Sequence, residues 1–201
     1  GGFVWPLGGV GERFRVNSAN DEGCSEADWL RLNLRLWKLT GQTRFLDWAE
    51  RLLWNHYAMN RTANGGYGHH VFVSDTEGPL LMQPHFTEAV WCCTFHGLLG
   101  MHTLKSHVVV GSPKGVFVNF PVDVTAPAQT GQGRWKVSIV SKEAGLGEIQ
   151  GRVRLDPLEG ATGTPELFVR RPQWAGRVTI ADREGNSLPA RQEGGYLLVG
   201  P

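Results

Sequence analysis

Apolar positions along this chain recur first at a helical period and later at the shorter period of strands. Over residues 25–39, Trp29, Leu32, Leu36 and Leu39 form one stripe and Leu30, Leu34 and Trp37 a second. That pattern predicts a helix apolar over most of its circumference and largely buried. Gly41 is placed to stop it. A second helix is predicted over 43–59, with Phe45, Trp48, Ala49, Leu52 and Leu53 inward and Arg44, Asp47 and Arg51 toward water. A third begins near Glu88 and carries Cys92, Cys93, His96, Leu99 and His102. After about Lys105, Val108-Val109-Val110, a Gly/Pro turn, then Val116-Phe117-Val118 reads strand, turn, strand. Short strands follow over 135–141, 149–155, 166–170, 178–181 and 196–199, separated by Gly, Pro and Asp/Asn turns. The second half thus has the text of a β-sandwich, and the boundary falls near residue 106.

Two stretches escape both periods. Residues 1–22 are glycine-rich and aperiodic, and they deliver one acid, Glu12, after Gly8-Gly9-Val10-Gly11. Glycine there lets backbone approach a ligand, although an isolated loop glutamate is more often a solvated one. Residues 60–87 form a long irregular passage through Gly65-Gly66-Tyr67-Gly68-His69-His70, a length often kept for function. The two histidines read as polar lining.

Composition narrows the class. With 41% hydrophobic residues and eight tryptophans among 201 residues, the chain can bury a sizeable core. A formal net charge of +1 without a basic run gives no electrostatic footprint for nucleic acid or an anionic membrane surface. No apolar run reaches the roughly 18 residues of a membrane span. The chain opens Gly1-Gly2-Phe3 and closes Leu198-Val199-Gly200-Pro201, directly after a strand. The expectation is a fragment of a longer protein, inactive alone, whose compartment and oligomeric state the sequence does not tell.

All three cysteines lie in two segments, Glu22-Gly23-Cys24 and Trp91-Cys92-Cys93-Thr94. Glu22 and Cys24 can turn inward together, and adjacent Cys92 and Cys93 can share one ion at a helix start, where the positive end of the peptide dipoles favours anionic sulfur. Three thiolates and a carboxylate make a four-ligand zinc set, and soft sulfur selects zinc over magnesium or calcium. Against this, unpaired cysteines commonly pack as small hydrophobes, and the spacing follows no CxxC rule. Glu50 sits beside the inward stripe of the second helix, either paired with an arginine or aimed at a ligand.

Glu22-Gly23-Cys24, the helix end Glu50-Arg51-Leu52-Leu53-Trp54-Asn55-His56, the later Cys92-Cys93, Gly115-Val116-Phe117-Val118-Asn119 and the run from Leu167 to Ala175 together resemble the β-L-arabinofuranosidase family of glycoside hydrolases. The resemblance implies an α plus β multidomain chain: residues 1–105 as the C-terminal portion of an (α/α)6 catalytic barrel and 106–201 as a β-sandwich domain. It implies that Glu22, Cys24, Cys92 and Cys93 bind zinc, that Cys92 is also the nucleophile, that Glu12 is the general acid/base, and that Glu50 contacts the sugar. The chain departs from the family where Thr94-Phe95-His96, rather than prolines, follow the cysteine pair, and where the loop between Glu12 and Glu22 is short.

The implied activity is a retaining glycoside hydrolase that removes β-linked L-arabinofuranose or a related sugar from a glycan, with Zn2+ as cofactor. Such chemistry needs one group to protonate the leaving oxygen and another, roughly 5 Å across the anomeric carbon, to attack it. The alternative is a non-catalytic carbohydrate-binding or structural protein in which zinc only pins the fold. A thiol redox role is disfavoured, because a vicinal Cys92-Cys93 disulfide is strained.

Overall fold

The computed structural model describes residues 3–4, 10–11, 19–73, 81–84, 89 and 91–200, with side chains described for 23–68, 89 and 91–200. The fold is α plus β, and the chain divides into two compact units, Gly1–Leu104 and Lys105–Pro201.

In the first unit, β1 (Phe3–Val4) pairs antiparallel with β2 (Val10–Gly11). A three-stranded antiparallel sheet is built from β3 (Ala19–Glu22), β4 (His69–Val73) and β5 (Leu81–Pro84), with β4 central and Glu22 opposite His69. The passage over 60–87 therefore contains paired strands. Helix α1 (Gly23–Thr40) follows β3 without a loop. Gly41 ends it as expected, at φ +70° with its N–H donating to the Trp37 carbonyl at 2.7 Å.

Only one of the two expected stripes of α1 is buried. Cys24, Ala27, Leu30, Leu34 and Trp37 turn inward, and so do two polar residues, Glu26 and Asn33, at 0% exposure. Leu32 and Leu39 are exposed. The apolar count of α1 thus overstates its burial, because polar Glu26 and Asn33 take inward places while Leu32 and Leu39 face outward.

Helix α2 (Arg44–Leu52) buries Phe45, Leu46, Ala49, Glu50 and Leu52. Trp48, expected inward, is half-exposed; it stacks on Trp29 at 6.2 Å and meets the Phe45 ring edge-on at 5.6 Å. A π-helical turn, Leu53–Tyr57, continues α2. The wider turn brings adjacent His56 and Tyr57 both into the interior. Helix α3 (Trp91–Val108) carries Cys92 and Cys93 in its first turn and runs further than the strand-like Val108-Val109-Val110 text suggests.

The second unit holds two sheets. The larger orders β12 (Arg191–Glu193), β13 (Tyr196–Val199), β11 (Glu166–Arg170), β7 (Gly115–Val118) and β6 (Val109–Ser112), with β11 and β7 parallel and the rest antiparallel. The smaller is an antiparallel meander of β8 (Val124–Thr130), β9 (Gly133–Gly145) and β10 (Glu148–Pro157). Strand β9 alternates as a half-buried strand must, with Trp135, Val137 and Ile139 inward. Residues 178–181 form no strand beyond the bridge Ala181 to Ser187. At Gly115 an added Cβ would lie 2.1 Å from the Glu166 carbonyl oxygen, and φ is +150°, so the parallel pairing requires glycine there. Phe117 stacks on Phe168 at 4.2 Å, Tyr196 meets Phe117 edge-on, and the Tyr196 hydroxyl donates to Asn119 Oδ1 at 2.6 Å. Asn119 in turn donates through Nδ2 to the His107 carbonyl at 2.8 Å.

Candidate functional site

Because β3 passes directly into α1, Cys24 lies in the first turn of that helix, as Cys92 and Cys93 lie in the first turn of α3. The fold brings these two turns together. The three sulfurs lie within 4.8 Å of one another. Cys24 Sγ is 3.4 Å from Cys93 Sγ, and Cys92 Sγ is 4.0 Å from Cys93 Sγ. Cys24 and Cys93 are buried, while Cys92 retains partial exposure.

Burial dominates the electrostatics. It pushes the Cys24 thiol far above the ordinary thiol range, with the neighbouring Cys93 and Cys92 adding to the effect. Burial likewise pushes Cys93 up to about 11, against an opposing hydrogen bond from Cys24. In the metal-free protein burial thus favours the protonated Cys93 thiol, against the expectation that a helix start favours anionic sulfur.

A bound cation would restore the anionic form, and the donor set suits one. Zinc with sulfur ligands at about 2.3 Å in tetrahedral geometry holds its sulfurs about 3.8 Å apart, between the two separations found here. The cluster can hold a metal ion. Glu22 ends β3, opposite His69, so its backbone adjoins the cluster through Gly23 and Cys24. Its side chain and the whole of Glu12 lie outside the described residues. Glu50 is buried on α2, at 4% exposure.

In the same unit the structure buries polar groups that the apolar pattern conceals. Asn60 Nδ2 donates to Glu26 Oε2 at 2.6 Å, and His56 Nδ1 lies 3.9 Å from Glu26 Oε1. The Tyr57 hydroxyl donates to the Gly97 carbonyl of α3. Burial pushes the Tyr57 phenol well above its ordinary range, keeping it a neutral donor. Two glycines of α3 make room for two tyrosines. A Cβ at Gly97 would stand 2.3 Å from Tyr67 Cδ2, and one at Gly100 2.6 Å from the Tyr57 hydroxyl oxygen. A faint signal for Glu26 does exist, since residues 26, 30, 33, 34 and 37 share one helical face. The π-helical turn that aims His56 and Tyr57 has no such sign.

No protein-family model matches this chain, and no curated protein matches it. Solved structures do. A glycoside hydrolase superposes with TM-score 0.67 at 18% identity, over 94% of this chain and 32% of its own length. A GH127 β-arabinofuranosidase gives 0.59 at 17%, over 98% and 34%. A GH127 β-L-arabinofuranosidase from Geobacillus stearothermophilus T6 gives 0.68 at 16%, again over 98% and 34%. The chain spans about a third of the length of each of these proteins. It shares its fold with that third of the two GH127 proteins, nearly end to end.

Proposed function

We propose that this chain is part of a retaining glycoside hydrolase whose nucleophile is Cys92, acting on β-linked L-arabinofuranose or a related sugar. The observation that carries the reading is the convergence of Cys24, Cys92 and Cys93 from two distant helix starts, in a fold shared with GH127 enzymes. On this reading residues 1–105 are the C-terminal portion of an (α/α)6 barrel and 106–201 a β-sandwich domain.

Glu22, Cys24, Cys92 and Cys93 would hold Zn2+, whose charge keeps the thiols deprotonated at neutral pH. Cys92, partly exposed where its two companions are buried, is the sulfur open to a substrate. Its thiolate attacks the anomeric carbon, forming a C–S bond as the C–O bond to the leaving group breaks, while Glu12 gives its proton to the departing oxygen. Water then attacks the same carbon, Glu12 takes a proton from it, and the sulfur departs as thiolate, so configuration is retained. Glu50 is assigned to the sugar hydroxyls.

The test combines zinc content of the full-length protein of which this chain is a part with release of p-nitrophenol from its β-L-arabinofuranoside. One zinc per chain, lost in Cys24→Ser, and turnover reduced by about 10²–10⁴-fold in Glu12→Gln are expected. Zinc without turnover on any furanoside would leave a structural metal in a carbohydrate-binding protein. A chain free of zinc after purification without chelators would overturn both readings.

A further inference from the structure

We infer that Thr94 is a positioning residue for the thiol cluster, acting by fastening the segment over 60–68 across the first turns of both cysteine-bearing helices. The inference rests on the reading of that cluster as the working site.

Thr94 follows Cys93 directly in α3. Its hydroxyl accepts the Tyr67 N–H at 3.0 Å and lies 3.4 Å from the carbonyl oxygen of the same residue. The next residue, Gly68, uses its carbonyl to accept the N–H of Gly23 at 3.2 Å, and Gly23 directly precedes Cys24. Two consecutive residues of one segment thus reach positions adjoining the two buried thiols, whose sulfurs are 3.4 Å apart.

The segment is braced to carry that load. The Gly68 N–H donates to the Asn60 carbonyl at 3.0 Å, and the Thr62 N–H to the Gly66 carbonyl at 2.9 Å. Asn64 Oδ1 accepts from both the Gly66 N–H at 3.1 Å and the Thr62 hydroxyl at 2.6 Å. Asn60 ties its start to α1 through Glu26. Gly66 lets the segment close on α3, since a Cβ there would fall 2.3 Å from Ala89 Cβ and 2.8 Å from Thr94 Oγ1. Tyr67 is buried, so no water replaces the hydroxyl at its backbone without movement of the segment.

Removing the hydroxyl at constant shape, Thr94→Val, should release Tyr67 and let the Cys24 and Cys93 helix starts drift. The metal-free, reduced full chain is treated with diamide and the rate of Cys24–Cys93 disulfide formation is followed by peptide mapping. A fall of at least about fivefold in Thr94→Val, with Thr94→Ser restoring the wild-type rate, is expected. Tyr196→Phe, a hydroxyl deletion in the second unit, serves as the control for general destabilisation and should leave the rate unchanged. A wild-type rate in Thr94→Val, an equal fall in Tyr196→Phe, or no Cys24–Cys93 disulfide in the wild type would overturn the inference.

Cobalt titration of the same proteins, read by the sulfur-to-cobalt charge-transfer band, should show the same order of affinities. A wild type that forms the disulfide but takes up no cobalt would overturn the metal reading, leaving the oxidation rates to decide the role of Thr94. Should Thr94→Val fail to fold, Asn64→Ala removes a brace of the same segment at an exposed position and should slow disulfide formation about twofold. An unchanged rate there would count against the inference.

Discussion

Glu26 and Asn60, 34 residues apart, share a 2.6 Å hydrogen bond between side chains that are 0% and 1% exposed. Truncating the acceptor strands a buried amide. Glu26→Ala should therefore lower stability by about 1–3 kcal/mol, while Glu26→Gln, which keeps a carbonyl oxygen in place, should cost less. Urea unfolding monitored by tryptophan fluorescence reads both.

The two glycine seats of α3 give a steric prediction. Gly97→Ala places a methyl 2.3 Å from a ring atom of buried Tyr67, and a ring cannot bend aside as a flexible chain end can. A loss of about 1–3 kcal/mol is expected, larger than for the same substitution at exposed Gly176, which has open space around it. Thermal melting of the two variants gives the comparison.

In the second unit, Tyr196→Phe removes the donor to Asn119 Oδ1 while preserving the ring contacts with Phe117 and Phe168. About 1 kcal/mol should be lost. A larger loss would mean that Asn119 also gives up its bond to the His107 carbonyl, which amide exchange at the end of α3 would report.

Burial raises the folded-state pKa of Cys24 and of Cys93, the latter to about 11 from the ordinary thiol value of 9.0. In metal-free protein the folded chain therefore keeps protons that the unfolded chain releases. For Cys93 that contribution to stability is full below about pH 9 and is lost as pH rises through about 11, while that of Cys24 persists to higher pH. Urea midpoints measured over this range should fall, and fall less steeply in Cys24→Ser. Metal uptake must displace the same protons, so affinity for zinc should climb by about tenfold per pH unit for each proton displaced below pH 9. A chelator-competition titration checks the slope.

Much of this was legible in the residues, and the failures have physical causes. The end of α1 followed from Gly41, and the thiol cluster from the confinement of all three cysteines to two segments. The burial of α1 was overread because leucines at 32 and 39 were counted as core, whereas Glu26 and Asn33 take inward places through hydrogen bonds that hydrophobicity does not register. Strand β8 was missed because Pro127 interrupts it; as an edge strand of its sheet it tolerates a residue without an N–H. Strand β12, wholly polar and exposed, offers no alternation to detect. The roles of Glu12 and of the Glu22 side chain rest on the sequence alone, since both lie outside the described residues.

The parallel pairing of β7 with β11 sets an order of assembly. Between those two strands the chain runs through β8, β9 and β10, which form their meander from neighbouring segments. Local hairpins close early, and pairings across long stretches of sequence must wait for the larger loss of chain entropy to be recouped. On the ribosome, a chain that has emerged only as far as Pro157 holds the whole meander but just the β6–β7 hairpin of the five-stranded sheet, with one edge of β7 open. The second unit therefore passes through a stage in which its three-stranded sheet can be complete while one edge of β7 still waits for residues 166–170.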